Sequence, residues 1–414
     1  MPSRAAVTTS TRDPSVDSQA LEAQRLAAEL QNLHSGPLVV PELVALGEAA
    51  IPAVEATLRG RSQALHHPRS LAADVLGAIG GEKATAALIR ALEDSTGRTL
   101  DPAFREAEAV VVRHIATHLR QRPTPFAIDA VLDAMRVRPN AACAELLGEH
   151  GNPQAIPPLL SALREDAVRE AAMNALRRFG RVSVLRLRAA LAMPHYVGGI
   201  EPPTSIDARA AVAALLGELG ERTPLILALD DRTRSVRLAA ATALASSPGG
   251  PPRRALEVLI DGLDDPNWAH ARSIMDVLAP LSSEIVPLLQ ECLDGPVGDE
   301  ASERRHRRVA VLAGRLGLGF AGPLLAALCA ANDQELRLAA VQALGNLSTA
   351  SESELAGFLA DPALIVAAEA FQALRARGRF NLRDIAPYLK RSSSYRRAWN
   401  RWRRLWALRK TLRG

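Results

Sequence analysis

The stretch Val168–Leu176, VREAAMNAL, decides the fold because it returns. VRLAAATAL runs from Val236, LRLAAVQAL from Leu336 and VAAEAFQAL from Val366. Each copy has an apolar start, an alanine-dominated middle and a closing Ala-Leu. Apolar residues at i, i+3, i+4 and i+7 form one stripe on a helix of 3.6 residues per turn, so each copy predicts the buried side of an amphipathic helix. Looser copies begin at Leu71 (LAADVLGAIG), Ile206 (IDARAAVAALLGELG) and Val309 (VAVLAGRLG).

A second element lies between these: AIPAVEATL from Ala50, AIPPLLSAL from Ala155, EIVPLLQECL from Glu284, AGPLLAAL from Ala321 and DIAPYLK from Asp384. Its proline is expected in a first helical turn, where the missing N–H costs nothing. Acidic turns follow or flank these helices at Asp94, Asp166, Asp231, Asp265, Asp294, Asp333 and Asp361, where a carboxylate can accept the free amides that open the next helix. The unit is helix, acidic turn, helix, loop. Val168 to Val236 is 68 residues, two units of 34; Val236 to Leu336 is 100, three units of about 33; Leu336 to Val366 is 30. A unit this small cannot bury its apolar face alone, so copies must stack.

Composition agrees. Hydrophobic residues make up 48% of the 414-residue chain but aromatics only 3%, so the core is built of Ala, Leu and Val suited to close helix packing. The quoted segments resemble the HEAT-repeat family, in particular the short bacterial HEAT-like repeats also found in phycobilin lyases. The resemblance spans roughly residues 40 to 410, about ten or eleven units, and lies at the compact end of the family's repeat length. It implies an all-α fold, an α-solenoid in which stacked helical hairpins form a right-handed superhelix whose VRxAA-type helices line the concave face. Residues 1–17 are expected as a disordered leader, 18–390 as the solenoid, and 391–414 as a basic, tryptophan-bearing capping helix in the last repeat.

Little in the sequence points to catalysis. His114 and His118 stand at the i, i+4 spacing of a two-histidine metal site, but no HExxH glutamate lies between them and no third ligand is evident. Deoxyhypusine hydroxylase, an enzyme of this fold, carries His-Glu dipeptides for a di-iron centre, and no His-Glu dipeptide occurs here. The chain has no GxxxxGK[ST] phosphate loop and no GxSxG elbow. Cys143, Cys292 and Cys329 form no CxxC pair, which fits a reducing, cytoplasmic setting. No catalytic residue, metal or cofactor is called for.

Recognition is the reading that remains. Polar positions on the expected concave face are Asn174, Arg177, Arg178, Arg209, Glu218, Thr242, Arg272, Arg308, Gln342, Asn346 and Arg375. Three interruptions, Ser95–Ala103, Ala192–Ser205 and Asp294–Arg308, are expected as edge loops, and the middle one carries His195 and Tyr196. The candidate partner-binding residues are Arg177, Arg178, His195, Tyr196, Arg272, Arg308, Gln342 and Arg375. Arg169, Arg237 and Arg337 are expected instead in a structural Asp–Arg ladder between repeats.

The last stretch differs from the rest. Residues 390–414 hold ten Lys and Arg and no acid, leaving 40 basic against 45 acidic residues elsewhere. On a helix, Tyr395, Trp399, Trp402 and Trp406 share one face, and Arg396, Arg397, Arg401, Arg403, Arg404 and Lys410 take the other. The aromatic face can cap the solenoid; the basic face can meet an anionic membrane surface or nucleic acid. The function expected is a non-enzymatic scaffold or adaptor whose concave face and edge loops bind another protein. The alternatives are a lyase-like or cofactor-handling accessory factor acting on a partner, and peripheral docking through the basic helix.

Overall fold

The computed structural model describes residues 14–60, 66–97, 102–296, 298–349 and 352–377. Expectations for Tyr395, Trp399, Trp402, Trp406 and the basic face from Arg396 to Lys410 lie outside these residues. So does DIAPYLK. The first described helix is Pro14–Glu29, which overlaps the end of the stretch expected as a leader.

The chain divides into two compact units, Met1–Glu221 and Arg222–Gly414. In the first, helical hairpins occupy 14–45, 51–79, 81–121, 125–150, 156–179 and 184–218. In the second they occupy 222–245, 253–278, 282–315, 322–346 and 352–376. In the first unit the first helices of successive hairpins pack on one another, and so do the second helices; in the second unit the same layering joins 253–262 to 282–294 and 322–327 to 352–357 among first helices, and 234–245 to 268–278 and 300–315 to 334–346 to 364–376 among second helices. Two layers that pack hairpin on hairpin in chain order make an α-solenoid.

Helix Asp166–Phe179 explains why the recurring segment works. It buries Val168, Ala172, Ala175, Leu176 and Phe179, one stripe at helical spacing. Asp166 opens it and Arg177 and Arg178 close it, the charge order that complements the helix dipole. Gly180, at φ +53°, ends it in a backbone state that side-chain-bearing residues avoid. Burying each large apolar side chain contributes about 1.5–3 kcal/mol relative to leaving it in water.

The alanines have a second purpose. A Cβ built on Gly148 would lie 2.6 Å from the Cα of Ala175 on the next hairpin, and one on Gly314 would lie 2.8 Å from the Cβ of Ala343. One on Gly345 would lie 3.1 Å from Ala373. Glycine follows the closing Leu or Ala of one second helix, and the next second helix sets an alanine against it.

The acidic turns behave as expected at four positions. Asp231, Asp265, Asp333 and Asp361 accept the backbone amides of Thr233, Asn267, Glu335 and Ala363 at 2.7–2.9 Å. Asp94 and Asp294 differ, because their helices, Gly81–Gly97 and Ser282–Asp294, run on to include them. Pro52, Pro157 and Pro323 stand in first turns. Pro287 does not: its helix starts at Ser282, a turn earlier than the sequence pattern implies. The interruption expected at Asp294–Arg308 is also shorter, since helix Glu300–Arg315 begins inside it, capped by Asp299 and Ser302 in a reciprocal capping box.

Candidate interaction surface

An arginine seven residues before the closing leucine recurs in the second helices, and it is structural. Arg169 Nε donates to the Leu163 carbonyl at 2.9 Å, and Arg337 to the Ala331 and Asn332 carbonyls at 2.8 and 3.0 Å. Arg237 donates to the Asp231 carbonyl at 2.7 Å. Arg69 and Arg209 occupy the same place and donate to the Leu58 and Leu191 carbonyls at 2.8 and 2.9 Å. Each arginine thus satisfies carbonyls that the end of a first helix leaves without intrahelical partners. Arg337 also holds Asp361 of the next hairpin by two bonds of 2.7 and 3.1 Å, with both side chains buried. Arg69 pairs with buried Glu108 in the same way across hairpins.

The candidate contact residues divide into three groups. Arg177 pairs with Glu218, and Arg178 with Glu149, which also holds Arg120. These ion pairs form a row across second helices in the first unit, so the cations are neutralised by neighbouring repeats. Arg308 is turned inward, only 5% exposed. It donates to the carbonyls of Leu263 and Asp265 and lies over the Trp268 ring at 5.3 Å, and burial pushes its pKa down. Arg308 is therefore a packing residue. Arg272, Gln342 and Arg375 are exposed. His195 and Tyr196 are exposed on the connection between helices Val184–Ala192 and Pro203–Glu218.

That connection is built, not slack. Val197 and Ile200 exchange backbone hydrogen bonds of 2.9 and 3.1 Å around Gly198 and Gly199, whose φ angles of +59° and +82° suit a two-residue hairpin turn. Its base is fixed by Ser205, whose hydroxyl accepts the His195 amide at 3.2 Å and donates to Glu201 at 2.9 Å. Glu201 in turn pairs with Arg209 at 3.1 Å, both side chains buried. Met193, Tyr196, Val197 and Ile200 project from this base with exposures of 51–74%. The sequence reading reached His195 and Tyr196 here but missed the apolar neighbours. A visible signal was the repeat's own break at Ala192–Ser205, filled with large apolar residues where turn residues would serve.

The histidine pair found a partner that sequence spacing could not supply. His114 Nδ1 and His118 Nε2 both lie 2.8 Å from Asp74 Oδ1, on helix His67–Ile79 of the preceding hairpin. Burial raises the Asp74 pKa, but the bonds from His118 and His114 outweigh it and hold the carboxyl below the usual aspartate range. His118 takes the place that alanine takes elsewhere in the stack, and Gly77 beneath it has no room for a Cβ. Among the described residues no group of three or more His, Cys, Asp or Glu is arranged to hold a metal ion. Cys143 is buried, which pushes its thiol up to about 12, and burial also raises half-buried Cys292. Neither thiol is set up as a nucleophile.

In the second unit a cleft is lined by Asp230, Arg234, Arg237, Arg254, Asp261, Asp264 and Arg305. Arg254 pairs with Asp230, Arg234 with Asp264 and Arg305 with Asp261, while Arg237 holds backbone carbonyls. Its cations are already engaged, so the cleft has no spare charge for an anion. No helix among the described residues is long and apolar enough to cross a membrane.

Comparison with known proteins agrees with this architecture. The family model for the PBS lyase HEAT-like repeat matches residues 68–94 and 140–165, each a second helix with the first helix that follows. No curated protein sequence matches. Among solved structures, Kap95p in its RanGDP complex superposes with a TM-score of 0.51 at 12% identity, over 86% of this chain and 55% of that one. The karyopherin Kap121p gives 0.51 at 13% identity, over 94% and 46%. Human deoxyhypusine hydroxylase aligns over 75% of this chain and 99% of its own at 21% identity, with a TM-score of 0.24. The chain spans about half the length of the two karyopherin structures. It is an all-α solenoid carrying HEAT-like repeats.

Proposed function

We propose that the chain is a non-enzymatic scaffold or adaptor that binds another protein through its edge loops and the exposed polar positions of its second helices. The connection from Met193 to Ser205 carries this reading: it holds His195 and Tyr196 in the open on a buried Arg209–Glu201 pair. The pair ties this loop to the arginine position that recurs through the stack, so the loop's shape is fixed where a partner would meet it. Kap95p, which shares the fold, binds RanGDP, and this supports binding of proteins as the solenoid's use. In the second unit Arg272, Gln342 and Arg375 are separate exposed candidates, and in the first Arg177 and Arg178 are members of a neutralised row. A second reading draws on the ten basic residues of 390–414: docking on an anionic membrane or nucleic acid.

The test places a photoreactive phenylalanine analogue at position 196 of the full chain in its native host. Irradiation is expected to yield a discrete adduct with one protein, absent when the analogue replaces exposed Leu21. Identical products from both positions, or none from either, would defeat the scaffold reading.

A further inference from the structure

Six of the sixteen large apolar side chains exposed among the described residues fall between 182 and 200: Val182, Leu185, Met193, Tyr196, Val197 and Ile200. They are ordered by two devices. On helix Val184–Ala192, Leu187 and Leu191 are buried while Leu185 and Ala189, four apart, are exposed on the opposite side, and exposed Val182 in the tight turn before the helix and Met193 in extended backbone after it flank them. That spacing gives an apolar stripe facing away from the core. The helix then runs into the two-residue hairpin, where the Val197–Ile200 bridge sets two further apolar side chains beside each other.

The charge within this segment has one sign. From Ala171 to Ile206 the only acid is Glu201, and it is buried against Arg209. Arg181 and Arg186 are exposed and their side chains make no hydrogen bond or ion pair among the described residues, in contrast to Arg188, which pairs with Glu221. An apolar stripe preorganised on a helix and a pinned hairpin loses little freedom on binding, so contacts made there add to affinity. Its basic rim selects a partner whose own apolar residues are flanked by carboxylates.

We propose that the surface from Val182 to Ile200 is a docking site for an acidic amphipathic segment of another protein. This rests on the scaffold reading and supplies the partner's chemistry. A lipid surface fits less well. Inserting the hairpin tip would take the exposed backbone groups of Gly198 and Gly199 into hydrocarbon, where they have no partners, whereas a polypeptide can offer them hydrogen bonds.

The experiment pans a random-peptide phage library on the full chain, then measures selected peptides against three proteins: wild type, Arg181→Glu/Arg186→Glu, and Tyr196→Ser/Ile200→Ser. All four positions are exposed, and circular dichroism checks that the variants fold. Selected sequences are expected to combine Leu, Phe or Trp with Asp or Glu. Both variants are expected to bind them at least about tenfold more weakly, and added salt to weaken wild-type binding. Basic or charge-free selected peptides would overturn the proposal. So would peptides that bind both variants as well as wild type, and in that case the scaffold reading survives with its site elsewhere. Selection of no peptide, with binding to phosphatidylcholine vesicles containing phosphatidylserine abolished in the variants, would assign the surface to lipid and defeat both readings.

Discussion

Ala175 stands so close over Gly148 that a methyl group on the glycine would lie 2.6 Å from the alanine's Cα. The obstacle is backbone, which cannot rotate away. Gly148→Ala must push helix Ala141–His150 from helix Asp166–Phe179, and overpacking of this kind costs about 1–3 kcal/mol. At Gly345 the nearest atom is the Ala373 side chain at 3.1 Å, so Gly345→Ala should cost less. Thermal or urea unfolding of the two variants checks the order. Equal stability of Gly148→Ala and wild type would mean that the hairpins do not approach as closely as this pair requires.

The Arg337–Asp361 pair predicts a larger loss. Both side chains are buried, Arg337 makes two bonds to the carboxylate, and Asp361 also accepts the Ala363 amide. Arg337→Met leaves a buried carboxylate without its cation and should destabilise by about 3–5 kcal/mol. The double variant Arg337→Met/Asp361→Asn should recover part of that loss, since no unpaired charge then remains. Urea midpoints of the two variants decide it: a double variant less stable than the single one would contradict the pairing.

Much of this was legible in the sequence, and the residues show where legibility stops. Period and apolar stripe predict the hairpins because VREAAMNAL and its copies describe packing within one repeat. The Asp–Arg pairing between repeats expected of Arg169, Arg237 and Arg337 is made by Arg337 with Asp361 and, at 3.5 Å, by Arg169 with Asp207, while Arg237 is held by carbonyls. All three were readable as structural because each holds carbonyls five or six residues back. Arg308 was not, since its carbonyl partners at Leu263 and Asp265 lie more than 40 residues back. Asp74, which joins His114 and His118, is similarly distant in sequence. The apolar hairpin was half readable: the broken rhythm at Ala192–Ser205 marks a loop, but it is the fold that turns Val197 and Ile200 outward and Leu187 and Leu191 inward.

Acid should act on the Asp74 cluster. Hydrogen bonds from His118 and His114 hold the native carboxyl below its usual range, so the unfolded chain takes up the proton first as pH falls. The stabilisation from this group is therefore complete above the ordinary aspartate value near ~4 and is lost as pH drops through the lower native value. Asp74→Asn removes it at every pH. The gap in melting temperature between wild type and Asp74→Asn should narrow as pH falls below about 4. A gap that widens below about pH 4 would contradict a native carboxyl held under its usual range.

Residues 392–414 allow a test of how the pattern ends. Tyr395 falls 29 residues after Val366, in phase with the repeat, which aligns Trp399 with Ala172, Ala240, Ala340 and Ala370, and Trp402 with Ala175, Ala243, Ala343 and Ala373. Ala175, Ala343 and Ala373 each face a glycine of the preceding second helix. By that alignment the two rings stand where the stack sets methyl groups, and each tryptophan buried there would contribute up to ~3 kcal/mol. Deleting residues 395–414 should then lower the melting temperature and the solubility. A truncated protein that melts like the full chain, yet no longer binds anionic liposomes at low salt, would instead assign the stretch to docking.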